Sequence, residues 1–205
     1  MKRFKNYRFL LLMPFLFLVN CGYNTIQELD EEVNTQMAEV INQYKRRADL
    51  IPPLVQVVQG YAEHEKDVFV EVSKARGGVG GITISPEIAN NPDAFKRFVE
   101  AQNNLGGALQ RLIVVSEKYP ELKADTGFRD LQSQLEGTEN RIAVARKRYI
   151  DSVKNYNLYV RKFPGIIWAT MFGYKVKSSF TVENEDSIKK LPNEISNPPE
   201  VKFNK

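Results

Sequence analysis

Apolar residues recur at steps of three and four along most of the chain, the spacing that places them on one face of an α-helix. The first stripe, with steps of three, four or seven, is formed by Ile26, Leu29, Val33, Met37, Val40, Tyr44 and Ile51. Pro52 and Pro53 predict an end or a kink there, because proline removes an amide donor and clashes with the preceding turn. A second helix is predicted from Pro53 to Arg76, and the glycine-rich run 77–81 then predicts a flexible hinge.

Two further helices have more regular stripes. The third, predicted over about 93–118, has in phase Phe95, Phe98, Leu105, Leu109, Leu112 and Val115. The fourth, predicted from about 125 to 162, carries a seam of nine positions: Phe128, Leu131, Leu135, Thr138, Ile142, Ala145, Tyr149, Ser152 and Tyr156. Such a seam is buried in a bundle or coiled coil. The predicted fold class is therefore all-α, an antiparallel four-helix bundle with long helices, an N-terminal signal or anchor, and a partly disordered C-terminal tail.

The first twenty residues differ from this pattern and are typical of a secretory signal peptide. Four basic residues lead into the apolar run 9–19, which is much shorter than the about 20 residues that a spanning helix needs. The string Leu18-Val19-Asn20-Cys21 resembles the lipobox of bacterial lipoproteins, although Asn20 replaces the usual small residue. We therefore predict that Cys21 is lipid-modified, for example by palmitate. The alternative is an unmodified thiol behind an uncleaved N-terminal membrane anchor.

Removing this segment changes the charge of the chain. The full sequence has 29 Lys and Arg against 25 Asp and Glu, a formal net charge of +4. Four of the basic residues and none of the acidic ones lie in 1–20, so that 25 of each remain and the mature chain is neutral. Binding to nucleic acid requires a concentrated basic surface, which the mature sequence does not show. We predict no nucleic-acid partner.

The composition divides the chain into four predicted segments. They are a lipoprotein signal at 1–20, the helical bundle at 21–164, an apolar segment at 165–182 and a flexible tail at 183–205. The segment 165–182 contains Trp168 and several aliphatic and aromatic neighbours, and we expect it to pack on the bundle or on the membrane surface. The tail is polar and rich in helix breakers, a composition typical of disorder.

The inventory of reactive side chains argues against catalysis and metal binding. His64 is the one histidine, and although His64-Glu65 begins like a zinc-protease motif, Val68 stands where the second histidine should be. The glycine run follows a helix and lacks the Lys-Ser/Thr ending of a phosphate-binding loop. We predict no metal, no cofactor and no catalytic residue.

Charged residues border two of the stripes. They are Arg46, Arg47, Asp49, Glu136, Glu139, Arg141 and Arg146. One interpretation is a structural polar network of bundle edges and interhelical pairs, each contributing at most about 1 kcal/mol when exposed. The other is a polar patch that binds a partner. The structural interpretation is favoured, and both remain open on the sequence.

Several strings of residues resemble the LemA family. They include Arg46-Arg47-Ala48-Asp49-Leu50-Ile51-Pro52, Gly60-Tyr61-Ala62, Tyr119-Pro120, Gln134-Leu135-Glu136-Gly137-Thr138-Glu139-Asn140-Arg141-Ile142, Tyr156-Asn157, Phe163-Pro164 and Phe172-Gly173-Tyr174. The resemblance runs in order through the mature chain and departs from the family pattern at Pro53 and Ile150. It implies a four-helix bundle on a membrane with no established enzymatic activity, and a link of some relatives to magnetosome membranes favours a scaffold role.

These observations predict a non-enzymatic protein of the bacterial cell envelope, anchored to a membrane with its bundle outside the cytoplasm. Its partner would be another envelope protein or a second copy of the chain. The alternative hypothesis is an envelope hydrolase, or an accessory subunit of one, that uses the carboxylates of Glu136 and Glu139 beside the seam.

Overall fold

A computed structural model of the chain describes residues 5–81 and 85–180, with side chains from Gly22 onward. The helices are α1 (Lys5–Tyr61), α2 (Lys66–Gly80), a 3₁₀ turn (Pro86–Asn90), α3 (Pro92–Ser116), α4 (Pro120–Ala124), α5 (Thr126–Arg161) and α6 (Gly165–Phe172). Strands are absent from these two ranges, and the prediction of an all-α fold is confirmed. The predicted flexible tail at 183–205 lies outside the described residues.

The sequence predicts an end or a kink at Pro52 and Pro53, but the first helix does not end there. It continues as α1 to Tyr61, and α2 begins at Lys66 rather than at Pro53. Both prolines face solvent, whereas Ile51 and Leu54 on either side are buried. The free energy gained by burying these neighbours offsets the cost of the hydrogen bonds that the prolines cannot donate.

The predicted hinge at the glycines is also wrong, because the run from Gly77 to Gly80 forms the last turn of α2. Glycine in a helix costs roughly 1 kcal/mol relative to alanine. Val79, only 7% exposed, anchors this turn in an apolar core. The amide of Gly81 donates to the carbonyl of Gly77 at 3.0 Å and closes the helix. Tertiary packing therefore outweighs the local preference.

The third and fourth predicted helices match α3 and α5 closely. Asn91 caps α3 by accepting from the amide of Ala94 at 3.0 Å, and Asp125 caps α5 by accepting from the amide of Phe128 at 2.8 Å. All six stripe residues predicted for α3 are buried, as are eight of the nine seam positions of α5, with Leu131 half-buried. The three-four spacing thus identified the inward faces correctly.

Side-chain contacts give the directions in which the helices run past one another. Gly22 contacts Tyr159, Arg47 contacts Glu139 and Tyr61 contacts Asp125, so the start of α1 lies at the end of α5. The ion pairs Glu65–Lys118 and Glu71–Arg111 relate α2 to α3 in the same head-to-tail manner. Tyr44 packs on Phe98 and Arg47 is hydrogen-bonded to Gln102, so α1 and α3 run parallel to each other.

The apolar interior is divided into two clusters along the helices. The cluster nearer the start of α1, which we call the N-terminal core, includes Ile26, Val33, Met37, Val40 and Tyr44 of α1, Phe95 and Phe98 of α3, and Ile142, Tyr149 and Tyr156 of α5. The other, the distal core, includes Ile51, Leu54 and Val58 of α1, Phe69 of α2, Leu105 and Leu112 of α3, and Phe128 and Leu135 of α5. Buried polar side chains lie between the two cores.

Candidate functional site

A layer of buried polar side chains lies between the two cores. Arg47 of α1 is 4% exposed and occupies the position skipped by the step of seven between Tyr44 and Ile51. Gln102 of α3 is 2% exposed and fills the corresponding gap between Phe98 and Leu105, while Thr138 of α5 is fully buried. Each of the three helices therefore replaces one apolar seam residue with a polar one at the same level, and we call this set the polar layer.

The guanidinium of Arg47 holds the polar layer together. Its Nη1 lies 3.0 Å from Oε1 of Glu139, and its Nη2 donates to the backbone oxygen of Gln102 at 2.9 Å and to the Gln102 Oε1 at 2.6 Å. The cation also lies over the ring of Tyr44, 5.0 Å from its centroid. A planar group with several fixed donors suits this arrangement, since one side chain links three helices at once.

Two donors of the polar layer have no partner within residues 5–81 and 85–180. Because the guanidinium of Arg47 only donates, the amide oxygen of Gln102 must face it, which fixes the orientation of the amide and turns Nε2 to the other side. Nε2 of Gln102 and Nε of Arg47 are both buried without a hydrogen-bond partner among the described residues. A buried donor without a partner costs about 1–3 kcal/mol, so the layer carries an unmet capacity to bind an acceptor.

The charges around the layer also act on its tyrosine. Burial raises the pKa of the Tyr44 hydroxyl above its ordinary value, and the nearby positive charges of Arg146 and Arg47 oppose that rise. Tyr44 is therefore neutral at physiological pH and acts as an apolar ring beneath the guanidinium.

Of the charged residues singled out from the sequence, Arg47 and Glu139 form an ion pair, and Arg146 lies close enough to the Tyr44 hydroxyl to oppose the rise that burial causes in its pKa. Arg46 and Asp49 are exposed on α1, and Glu136 accepts from Nε2 of Gln132 at 3.1 Å. Arg141 donates through Nε to the carbonyl of Gly137 at 3.3 Å, and Arg146 lies over the ring of Phe180 at 4.5 Å. Cys21 lies within α1, and its side chain falls outside those described.

A second polar cluster, missed by the sequence analysis, fixes the extended segment after α6. Asn157 of α5 accepts from the amide of Lys177 at 2.8 Å and donates to its carbonyl at 3.0 Å. The hydroxyl of Tyr149 donates to the carbonyl of Ser178 at 2.6 Å, and the amide of Ser178 donates to the carbonyl of Ala89 at 2.9 Å. These bonds hold the segment in the groove between α5 and the 3₁₀ turn.

Lys177 is the centre of this cluster. Its side chain is 2% exposed, and its Nζ lies 2.8 Å from Oδ1 of Asp30 and 2.9 Å from Oδ1 of Asn90. The ammonium also lies 5.2 Å from the ring centroid of Tyr156. The pair Tyr156-Asn157, quoted above for its resemblance to a family, was the one signal in the sequence that pointed here. Its partner Lys177 sits in a stretch without helical periodicity and gave none.

The short helix α6 packs against the start of α1. The ring of Phe172 lies 5.0 Å from that of Tyr23, and the Trp168 indole lies so close to Gly22 that a side chain at this glycine would collide with it. Four apolar side chains of α6 remain between 45% and 65% exposed, namely Ile166, Ile167, Met171 and Phe172. The exposed apolar side chains of α6 therefore belong to a helix that packs on Gly22, the residue after Cys21.

Two other kinds of site are absent from the described residues. No three His, Cys, Asp or Glu side chains of that part of the chain come together as a metal-binding group. None of its helices is both long and apolar enough to cross a membrane. His64 lies exposed in the turn between α1 and α2.

The protein is thus of the all-helical class, and its two apolar cores are separated by a polar layer around the buried Arg47. The chain belongs to the LemA family, whose model matches residues 36–203, and the resemblance drawn from the sequence is confirmed.

Among known proteins, the chain is similar to the magnetosome protein MamQ of Magnetospirillum gryphiswaldense, with 25% identity over 180 residues. It is also similar to the magnetosome proteins MamQ 1 and MamQ 2 of Paramagnetospirillum magneticum, each with 24% identity over 180 residues. In every case the match covers 80% of this chain and 66% of the relative, so the chain spans just under two thirds of the relatives' length.

Proposed function

We propose that this protein is a non-enzymatic scaffold of the bacterial cell envelope, an antiparallel four-helix bundle attached to a membrane at the start of α1. Cys21 carries the lipid, and the bundle lies outside the cytoplasm. Its partner is another envelope protein or a second copy of the chain. The observation that carries the proposal is the exposed apolar side of α6 beside Gly22, next in sequence to the predicted lipid site.

The surroundings of α6 support a position at the bilayer surface. Large exposed apolar patches mark protein–protein or membrane interaction sites. Arg161, Lys162 and Lys175 are exposed on either side of α6 and would attract anionic lipid headgroups. A contact from α6 would add to the attachment that a di- or triacylated Cys21 provides.

The contacts between the segment after α6 and the long helices support a scaffold role. Lys177, Asn157 and Tyr149 bind the segment after α6 to the same helices that carry the polar layer. Movement of α6 at the membrane is thereby linked to the body of the bundle. The similarity to proteins named for the magnetosome supports a role in an assembled cellular structure.

The hydrolase alternative is not favoured by any contact of its two proposed carboxylates. Glu136 accepts from Gln132, whereas Glu139 is bound to Arg47, so the two groups have separate partners. General acid–base chemistry by a carboxylate pair requires both groups to face one substrate position.

The proposal is tested by chemical crosslinking and pull-down from native membranes, comparing the wild-type chain with Cys21→Ala. We expect the wild type to incorporate labelled palmitate and to be recovered crosslinked, either to an envelope protein or to itself. Cys21→Ala should lose the label and part of its membrane fraction. Equal palmitate incorporation by the variant would contradict lipidation, and the absence of any crosslinked species would contradict the scaffold.

A further inference from the structure

A cavity of about 550 Å³ opens beside the polar layer, between α1, the end of α2 and α3. Its wall includes Gln102 of the layer, the apolar side chains of Ile41, Tyr44 and Val79, and two cationic side chains, Lys45 and Arg76. A volume of this size is within the range of small-molecule sites in proteins.

The glycines at the end of α2 create this space. Gly77 and Gly80 line the cavity, and a Cβ added to either would meet no described atom within 4 Å outside the backbone of its own helix. Alanine would therefore fit there and would favour the helix by roughly 1 kcal/mol. Glycine at these two positions therefore leaves the cavity open at the expense of helix stability.

The charge of the wall is of one sign. Lys45 and Arg76 contribute two positive charges, and the lining residues include no carboxylate. Nε of Arg76 donates to the carbonyl of Ala48 at 3.3 Å, which holds the side chain across α1 and leaves its terminal nitrogens for other partners. Neither cation has an ion-pair partner within the described ranges, so the wall favours an anion.

A buried donor in the wall adds a third polar group. Gln102 is 2% exposed, its oxygen accepts from Arg47, and its Nε2 has no hydrogen-bond partner in the described part of the chain. Because Nε2 is buried below the surface of the wall, an acceptor reaches it only when the side chains around it shift, and that contact would relieve the cost of the unpaired amide.

We propose that this cavity binds a small organic anion, a carboxylate or phosphate monoester with an apolar part. The anionic group lies between Lys45 and Arg76 on the side of Gln102, and the apolar part packs on Ile41, Tyr44 and Val79. Lys45 stands 23 residues after Gly22, about 35 Å along the helix at 1.5 Å per residue. The ligand is therefore a water-soluble molecule rather than a lipid of the bilayer at α6, a point that rests on the proposed membrane attachment.

The binding test uses the full chain in mild detergent with benzoate and phenyl phosphate as probes, and benzyl alcohol as their neutral counterpart. Titration calorimetry measures affinity, and NMR follows the side-chain amide of Gln102. We expect both anions to bind and to shift the Gln102 amide signal, with benzyl alcohol binding more weakly. Lys45→Gln and Arg76→Gln should each weaken phenyl phosphate binding about fivefold, the factor that corresponds to one partly exposed ion pair.

A pair of glycine variants distinguishes this cavity from binding elsewhere. Gly77→Leu places a side chain in the cavity, whereas Gly78→Leu extends from another face of the same helix, also into open space. Both variants should fold, because leucine is a better helix former than glycine. We expect Gly77→Leu to lose binding and Gly78→Leu to retain it.

Three results would overturn the proposal: equal binding of benzyl alcohol and the anions, unchanged affinity in Gly77→Leu, or no shift of the Gln102 amide at millimolar phenyl phosphate. Membrane attachment is scored separately by the fraction of Cys21→Ala in membranes, so failure of one idea does not imply failure of the other. Vesicles containing phosphatidylglycerol, without added small anion, should leave the Gln102 signal unchanged. A shift caused by such vesicles would contradict a water-soluble ligand.

Discussion

Replacing Arg47 with methionine tests what the polar layer does for the fold. Methionine has a similar length and fits a position that is only 4% exposed. The change removes the contacts with Glu139 and with both oxygens of Gln102, and it leaves the ring of Tyr44 without its cation. The consequences differ for these partners, and this difference sets the magnitude.

Gln102 is expected to account for most of the loss. Its side-chain oxygen becomes a buried acceptor without a partner, which costs about 1–3 kcal/mol. The carboxylate of Glu139 is 46% exposed, so water replaces the arginine and little is lost. Burial of the methionine side chain returns part of the cost. We therefore expect Arg47→Met to lower the free energy of unfolding by about 1–3 kcal/mol.

The double variant Arg47→Met with Gln102→Leu removes the orphaned amide as well. We expect it to recover to within about 1 kcal/mol of the wild type, because a buried ionic group contributes little net stability compared with apolar replacements. The layer would then serve to fix the helix register rather than to stabilise the fold. The neighbouring exposed residue provides the control, and Arg46→Met should change the free energy of unfolding by less than about 0.5 kcal/mol.

Urea unfolding followed by circular dichroism at 222 nm measures these differences. With a urea dependence of about 2 kcal/mol/M, a loss of about 2 kcal/mol moves the midpoint down by about 1 M. The reasoning would be refuted by a double variant that is less stable than Arg47→Met alone, since apolar side chains would then fail to replace the network. It would equally be refuted if Arg46→Met and Arg47→Met had the same effect.

Three further predictions concern the other contacts of the bundle. Gly22→Val should displace α6, because the new side chain would collide with Trp168; the emission of this single tryptophan should move to longer wavelength, while Gly60→Val, which has open space, should not change it. Asn157→Leu should free the segment around Lys177, measured as faster hydrogen exchange of the Lys177 amide, and the exposed neighbour Asn155→Leu should leave that exchange rate as it is. Burial raises the pKa of Tyr156 to about 12, above the unfolded value of about 10. The neutral side chain therefore contributes its full stability below pH 10, and this contribution is lost as the pH rises through 12. Between pH 10 and 12 the urea midpoint of the wild type should fall further than that of Tyr156→Phe, which has no hydroxyl to ionise.

The helical faces could be predicted because the apolar steps report local geometry. The seam from Phe128 to Tyr156 is buried almost position for position, and the end of α5 lies within one residue of the prediction. Capping by Asn91 and Asp125 explains why α3 and α5 begin where they do. Patterns of this kind require no knowledge of the partner helix.

The breaks and the polar layer could not be predicted from local rules. Pro52, Pro53 and the glycines of α2 remain helical because residues beside them are buried in the distal core. The gaps left by Arg47 and Gln102 in two stripes were visible as steps of seven. That these gaps lie at one level and face each other depends on how α1 and α3 align, which a single sequence does not contain.

Fluorescence of Trp168 in the presence of brominated lipids tests the central claim most directly. The full chain has one tryptophan, and it lies on the helix proposed to rest on the bilayer. In vesicles with lipids brominated near the headgroup, the wild-type emission should be quenched, and Cys21→Ala should be quenched less because its tether is lost. Wild-type emission that is equal in brominated and unbrominated vesicles would contradict membrane attachment at the start of α1.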